Sequence, residues 1–492
     1  MRPNAGRVRE KTWPPLDLYP GHGDQQVPVS LKQKLPPVIP ERLDLVVRGG
    51  KLVTPDGVEH ADFGVLRGKI VQIAPEIRED GEATLDASGC HVFPGIIDAH
   101  VQFNEPGRSD WEGLASGSAA LAAGGGTCFF DLPLNSEPPV LDAAGLRVKR
   151  ALAEERACTD FALWGGLVPG NLNQLAGLKA AGAIGVKAFM CDSGTASFPR
   201  VDAKSLHEGM KRAAQLGLLV AVHAEDEALV AKFTAAQKAR GAHDAKAYLA
   251  SRPVEVELAA ITQALELAGE TGCALHLVHV SSPEAVALIT AARAARVDVT
   301  AETSPHYLLL NEKDVIKIGA PAKCAPPIRD EKRRLGLWTE LRAGHIQTVA
   351  SGHSPALPEM KAAEDFFANW SGIAGVQHGF ELLFNAGTKT AAQDLPVLAA
   401  VLARNVARRF RLDDRKGRLA VGLDADFSLL RLHEKEQPIT AGELWTRHPM
   451  SAYLGRKSHV RVTHTYVRGG AVWADGKLTS RAHAGQFLKP TP

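Results

Sequence analysis

Four side chains that can bind a metal ion lie in or at the end of short apolar segments of this sequence. His100 follows GIIDA, Lys187 lies within GVKAFM, His223 follows LLVAV, and His279 lies within ALHLVHV. Imidazole nitrogens suit zinc, nickel or iron, whereas a lysine can bind a metal only after losing its positive charge, for example as a carbamate formed with CO₂. A single strand-end histidine is more often a hydrogen-bonded core residue, and a buried lysine can belong to an internal salt bridge. The four together predict a metal site.

These segments belong to a longer alternation of apolar segments with helical stretches across roughly residues 95–411. The apolar segments are 95–101, 127–132, 161–167, 185–190, 218–224, 274–280, 297–303 and 346–352. Alternation of this kind predicts a parallel sheet, and eight repeats in one domain favour a closed (β/α)₈ barrel, an α/β fold. In such barrels the functional side chains lie at the carboxyl ends of the strands. We therefore expect the four candidate ligands to meet at one mouth.

The chain ends have a different texture. Residues 43–94 and 412–485 contain short alternating strands with Asp-Gly and Gly-Lys turn signals, which indicate hairpins. They predict one small β-sandwich domain built from both termini, with two unrelated β appendages as the alternative. Residues 1–42 are rich in proline and charge, and we expect an N-terminal arm, either docked on a neighbouring subunit or loosely ordered.

Composition limits the class of protein. The 492 residues are 45% hydrophobic and 23% charged, as in an ordinary soluble globular protein. A net charge of +2 provides no field for nucleic acid or an anionic membrane. Six scattered cysteines without a CxxC pair favour reduced thiols. There is neither a secretory h-region nor an apolar run of the ~18 residues that a membrane span requires, so we expect a cytoplasmic protein.

Several long motifs occur in order along the chain. They are PGIIDAHVQFNEPGRSDWEG (94–113), DLPLNSEPP (131–139), GVKAFMCDSG (185–194), VHAED (222–226), LVHVSS (277–282), ETSPHYL (302–308), KCAPPIRD (323–330), HSPALPEMK (353–361) and NWSGIAGVQHG (369–379). In these motifs the chain resembles the cyclic amidohydrolases, the family that includes dihydroorotases and hydantoinases, and its NEPGR…WEG form is most similar to that of allantoinases. The resemblance covers about residues 43–485.

The resemblance implies a homo-oligomeric hydrolase that opens a cyclic amide ring with metal-activated water. Its fold would be a barrel with a small β-sandwich from both termini, holding two divalent ions bridged by a carboxylated lysine. Carried over by motif, that lysine is Lys187, the second ion is bound by His223 and His279, and the first ion by His100. The family resemblance thus assigns catalytic roles to His100, Lys187 and His279.

Two positions depart from the family pattern, and both belong to the first ion. The family's His-x-His reads His100-Val-Gln102 here, and its Ser-Asp-His-Ser-Pro motif has Gly352 in place of the aspartate. We therefore predict one divalent ion, with zinc as the expected metal, rather than two. Three nearby residues are candidates to replace the lost ligands. We expect Asp98 to be structural, whereas Glu105 and His353 are nearer the mouth and stay candidates.

The same motifs suggest a neutral ureide as the substrate. Asn104 stands where related dihydroorotases carry an arginine that binds the substrate's carboxylate, and an amide cannot form that bidentate pair. Asn135 is a second candidate contact, with turn capping as its alternative, and Ser304 is a third. Three functions stay open at this point: a working hydrolase of the allantoinase type, a non-catalytic scaffold or partner subunit, and a ureide-binding protein without turnover.

Overall fold

A computed structural model describes residues 42–389, 394–480 and 485–491 of the chain. The predicted N-terminal arm, apart from Arg42, lies outside the described residues. Strands and helices are numbered here in chain order. The first five strands are β1 (Leu45–Thr54), β2 (Gly57–Leu66), β3 (Lys69–Ala74), β4 (Ala83–Asp86) and β5 (Cys90–Pro94). The β2–β3 turn uses Arg67 and Gly68, both with positive φ, the backbone that a two-residue hairpin loop prefers.

The barrel is built from the eight predicted segments. Its strands are β6 (Ile96–Val101), β7 (Gly126–Asp131), β8 (Asp160–Leu163) continued by β9 (Gly165–Gly166), β10 (Val186–Phe189), β11 (Val220–His223), β12 (Leu275–Leu277), β13 (Val299–Thr303) and β14 (Thr348–Val349). Neighbouring strands pair in parallel. A bridge between Val101 and His353 joins the last strand to the first. The (β/α)₈ prediction is confirmed.

Most barrel strands end earlier than their apolar segments suggest. The segment 274–280 is a strand only as far as Leu277, because His279 has a φ of 44° and leaves the extended conformation. A positive φ in a non-glycine residue is uncommon and is often found at functional sites. The strand end is therefore set by the turn that places His279, which hydrophobicity alone does not reveal.

The last four strands are β15 (Phe427–Pro438), β16 (Lys457–Val467), β17 (Gly470–Ala474) and β18 (Lys477–Leu478). Strand β15 pairs antiparallel with β5, so strands from both chain ends form one nine-stranded sheet. This pairing rules out two unrelated β appendages and fits the predicted sandwich domain from both termini. The domain boundaries at residues 43–94, 412–485 and 95–411 stay a prediction.

α-Helices connect the strands along the chain. They are α1 (Leu114–Ala123), α2 (Ala143–Arg156), α3 (Leu175–Ala181), α4 (Ala203–Leu216), α5 (Glu227–Ala239), α6 (Ala245–Ser251), α7 (Val254–Thr271), α8 (Pro283–Ala294), α9 (Pro305–Leu309), α10 (Glu312–Ile318), α11 (Glu331–Arg342), α12 (His378–Thr388), α13 (Leu395–Ala399) and α14 (Asn405–Arg409). An aspartate side chain caps the amino end of α2, α4, α5, α6 and α11, as helix starts prefer. Within the described ranges, no helix is both long and apolar enough to cross a membrane.

A buried ionic cluster connects the C-terminal β segment to the barrel. Lys416 Nζ lies 2.6 Å from an oxygen of Asp160, the first residue of β8, 2.5 Å from Asp426 and 3.0 Å from Asp424. Burial alone would lower the pKa of Lys416, but the three carboxylates raise it well above its usual value. Lys416 therefore stays charged and occupies the centre of this acidic group.

Candidate active site

A cavity of about 720 Å³ opens at the carboxyl ends of the barrel strands. The predicted site residues on its wall are His100, Gln102, Asn135, His223, His279 and Gly352. Lys187, Asn104 and Ser304 are fully buried behind this wall. The barrel thus gathers the candidate metal ligands from strands that are far apart in the sequence, as the barrel prediction requires.

Lys187 is a buried amine that contacts no carboxylate in the part of the chain that the structure describes. It projects from β10, and its Nζ has no hydrogen-bond partner among the residues that the structure describes. The Nζ atom lies 5.3 Å from the centroid of the Phe189 ring. Burial lowers the pKa of Lys187 to about 7, although Glu302 and Cys191 oppose the shift. A large fraction of the amine is therefore neutral at neutral pH, which is the form that can add CO₂ and become a metal ligand.

A carboxylate behind His223, Glu225, fixes the state of that imidazole. His223 Nε2 lies 2.8 Å from Glu225 Oε2, and since a carboxylate only accepts, Nε2 carries the proton and donates it. Arg252 donates to the same oxygen at 2.5 Å. Burial alone would raise the pKa of Glu225, but Arg252 and His223 lower it to about 2. Glu225 is therefore anionic, and it leaves Nδ1 of His223 as the atom with a free lone pair. Hydrogen bonding of this kind orients a metal-binding histidine.

His279 and His223 face each other across the centre. Their ring centroids are 4.6 Å apart, and that of His100 lies 5.5 Å from His279. Burial holds the pKa of His279 well below its usual value, and the nearby His223, Lys187 and His100 lower it further. Its imidazole is therefore neutral, the form that binds metals.

His100 has its own carboxylate support. Its Nδ1 donates to Glu302 Oε1 at 2.7 Å, and His276 Nε2 donates to the other Glu302 oxygen at 3.1 Å. Burial alone would raise the pKa of Glu302, but the two histidines hold it far below its usual range. The arrangement leaves Nε2 of His100 for a ligand in the cavity.

The family's other two first-ion positions, Gln102 and Gly352, offer neither an imidazole nor a carboxylate here. Gln102 offers a neutral amide, whose Oε1 is buried and unpaired within the described part of the chain. Gly352 has a φ of 61° and no side chain. A Cβ placed there would lie 3.0 Å from Ser304 Oγ and 3.2 Å from His306 Cε1. Lys187, His223 and His279 thus keep side chains that can bind a metal, whereas His100 is the single imidazole at the family's first-ion positions, and the ligand set and the number of ions stay a prediction.

None of the three considered substitutes reaches the described cavity wall. Asp98 Oδ1 accepts a hydrogen bond from Ser351 N at 3.0 Å and so joins β6 to the segment after β14. Glu105 accepts from Leu114 N at 2.8 Å at the start of α1. His353 is fully buried beside the barrel seam. The expectation that Asp98 is structural agrees with this placement, and a role for Glu105 or His353 in replacing the lost ligands stays a prediction.

Known proteins match this chain over most of its length. The amidohydrolase family model matches residues 91–472. Allantoinases from Deinococcus radiodurans and Solibacter usitatus are 48% and 46% identical over 448 and 447 residues, covering 91% of this chain and 99% and 97% of those proteins. The chain belongs to the amidohydrolase family. The L-hydantoinase (dihydropyrimidinase) structure from Arthrobacter aurescens superposes with a TM-score of 0.88 at 32% identity, covering 91% of this chain and 100% of that one.

The predicted substrate contacts of this amidohydrolase have different surroundings. Asn135 lies on the wall, and its Oδ1 accepts from Thr195 Oγ1 at 3.5 Å. Asn104 is fully buried with a φ of 66°, and its carbonyl accepts from Arg108 N in a turn. Ser304 lies directly behind Gly352. Asn135 is thus the one of the three that lies on the cavity wall, and the substrate-binding roles of all three stay predictions.

Sequence reasoning missed the groups that support the ligands. Glu225 stands two residues after His223, a spacing that could have indicated a second polar group on the same face of the strand end. Glu302 stands two residues before the predicted substrate contact Ser304, so the same spacing argument applies to it. Arg252 lies in the loop between α6 and α7 and has no local pattern that points to Glu225. His306 lies on the cavity wall beside Gly352, and in the sequence it stands out only as part of the ETSPHYL motif.

Proposed function

We propose that this amidohydrolase hydrolyses a ring amide C–N bond of a neutral cyclic ureide, with allantoin as its substrate. The observation that carries the proposal is Lys187, a buried amine with a lowered pKa that contacts no carboxylate among the described residues, near three neutral imidazoles. Relatives named allantoinase at 46–48% identity over nearly their whole length support the same reaction. The predicted hydrolase of cyclic amides agrees with them, and they do not favour the non-catalytic alternative.

Lys187, as a carbamate, would hold one divalent ion together with His223 and His279. We propose zinc, because two imidazoles and one oxygen donor suit it and leave a position open. When bound, the ion would polarise a ring carbonyl and lower the pKa of a water molecule. Glu225 and Arg252 fix the His223 ring so that its Nδ1 lone pair would be available to the ion. The neutral state of His279 leaves it ready to bind without first losing a proton.

The wall of the cavity orients the substrate. Asn135 carries an amide that can donate to a ureide carbonyl and accept from a ureide N–H. Gly352 supplies no carboxylate to carry a proton to the leaving nitrogen. A positioned acid–base group contributes roughly 10²–10⁴-fold to rate, so we expect turnover slower by that order than in a centre with an aspartate at this position.

The test is allantoin hydrolysis by protein purified with zinc and bicarbonate, with metal content measured on the same sample. We expect about one zinc per chain, and loss of both zinc and turnover in Lys187→Ala and His223→Ala. His433→Ala, a change at an exposed histidine on β15, is the matched control and should keep both. Absence of turnover in fully metallated wild-type protein would refute the proposal, as would equal turnover in Lys187→Ala.

We also propose a homo-oligomer in the cytoplasm. All six cysteines are buried and free of disulfides, which suits a reducing compartment. Light scattering of the purified protein distinguishes a monomer from an oligomer, and a monomeric mass would contradict the first part of this proposal.

A further inference from the structure

Four positions meet at the corner of the cavity where β6, β13 and β14 end. Gln102 N donates to His353 O at 2.8 Å, so the Gln102 backbone lies beside the residue that follows Gly352, and Gln102 and Gly352 both line the cavity. A Cβ on Gly352 would lie 3.0 Å from Ser304 Oγ and 3.2 Å from His306 Cε1. Gln102, Ser304, His306 and Gly352 are called the neutral corner below, because none of them carries a carboxylate or an ammonium group.

The neutral corner contains several unpaired polar atoms. Gln102 Oε1, Ser304 Oγ and His306 Nδ1 are buried, and none has a hydrogen-bond partner in the described ranges. These residues are 6%, 0% and 3% exposed. An unpaired buried polar group costs about 1–3 kcal/mol, and such groups in native proteins usually have a ligand or water partner. Three of them in one corner therefore point to a bound group with its own donors and acceptors.

The chemistry of these atoms selects the kind of group. His306 is the single imidazole of the neutral corner, and the amide and hydroxyl oxygens beside it are weak ligands for zinc, so the corner is a poor second metal site. A side-chain amide, a hydroxyl and an imidazole can each donate or accept. They match a urea or amide edge, which presents an N–H next to a C=O.

We propose that the neutral corner binds a urea edge of the substrate in the place of the family's first metal ion. Gln102 Oε1 would accept from the urea N–H. Ser304 Oγ, which lies behind Gly352 and is not covered by a side chain there, would donate to its carbonyl. His306 would close the third side of the corner. This inference rests on the proposed function for the identity of the substrate, but its binding test does not depend on turnover.

The experiment measures zinc stoichiometry and ureide binding separately. Allantoin affinity is measured by calorimetry on chelator-treated, metal-free protein, where no hydrolysis occurs. We expect Gln102→Leu and Ser304→Ala each to raise the Kd for allantoin by about 5- to 100-fold, the loss of one buried hydrogen bond. Gln215→Leu, at an exposed glutamine on α4, is the matched control with an unchanged Kd.

The converse experiment rebuilds the family's first-ion ligands. We expect wild-type protein to hold one zinc per chain in saturating zinc, and Gln102→His/Gly352→Asp to hold two and to lose affinity for allantoin in the metal-loaded state. Two zinc ions in wild-type protein and one in Gln102→Leu would overturn the proposal. An unchanged allantoin Kd in folded Gln102→Leu and Ser304→Ala would do the same.

The two proposals fail in different ways. Ureide binding that depends on Gln102, without hydrolysis by the zinc-loaded protein, supports the neutral corner and refutes the proposed function. Hydrolysis by wild-type protein, with Gln102→Leu and Ser304→Ala leaving the Kd and the zinc content unchanged, supports the function and refutes the corner.

Discussion

Lys187, on barrel strand β10, and Lys416, in the segment before β15, are both buried lysines, but their surroundings are opposite. Lys416 contacts Asp160, Asp424 and Asp426, and their carboxylates keep it charged. Lys187 has no such contact in the described chain, and its pKa falls to about 7. Burial is common to both, so the carboxylate partners alone account for the difference. A buried lysine surrounded by carboxylates stays charged and connects segments of the chain. A buried lysine without such partners is partly neutral, and its amine can react.

The largest expected effect is at Lys187. Lys187→Met preserves the shape of the side chain and removes the amine, so we expect allantoin turnover to fall by more than roughly 10³-fold as the metal is lost. Because an uncompensated buried amine is removed, the free energy of unfolding of the metal-free protein should rise by about 1–3 kcal/mol. Turnover assays and denaturant unfolding measure the two effects. A drop in stability alongside the lost activity would contradict this reading of Lys187.

The matched change in the structural cluster should do the reverse. Lys416→Met leaves three buried carboxylates without their central cation, and breaking a buried ion pair costs about 3–5 kcal/mol. We therefore expect a much lower free energy of unfolding but unchanged zinc content per folded chain. Denaturant unfolding with parallel metal analysis checks this. Zinc loss from folded Lys416→Met protein would show that the two regions are not independent.

The two lysines also mark what sequence reasoning could reach. Lys187 was found because it interrupts an apolar strand, and the eight strands were found from their alternation with helices. The role of Lys416 could not be predicted in this way, because Asp160 lies 256 residues away in the sequence and no local pattern connects the two residues. The same holds for Arg252 and Glu225, and for the backbone turn that places His279. Patterns within one strand indicate which residues are buried. The partner of a buried charge depends on which segments meet in the folded protein.

An intermediate effect is expected at the support of His223. Glu225→Gln keeps the shape but removes the charge that holds the His223 Nε2 proton and pairs with Arg252. Loss of such a partner typically weakens metal binding about 10- to 100-fold, and we expect that loss in a zinc competition assay against a chelator. Glu208→Gln, at an exposed glutamate on α4, is the control. Equal zinc affinity in both variants would mean that His223 needs no carboxylate to present Nδ1.

The smallest effect concerns a buried imidazole away from the cavity. His378 begins α12, its Nδ1 has no partner among the residues described, and burial, followed by Arg461, lowers its pKa to about 3. The unfolded chain takes up a proton near pH 6.5 and the folded one does not. The stability from His378 is therefore full above pH 6.5 and is lost progressively as the pH falls towards 3.

A pH series on metal-free protein tests this contribution. Between pH 7 and pH 5 the wild-type free energy of unfolding should fall by about 2 kcal/mol more than that of His378→Leu. The buried imidazoles of the cavity also lose stability on acidification, but they are present in both proteins, so the difference reports His378 alone. Parallel pH curves for the two proteins would mean that His378 has an ordinary pKa, and that burial without a partner does not by itself suppress protonation in this fold.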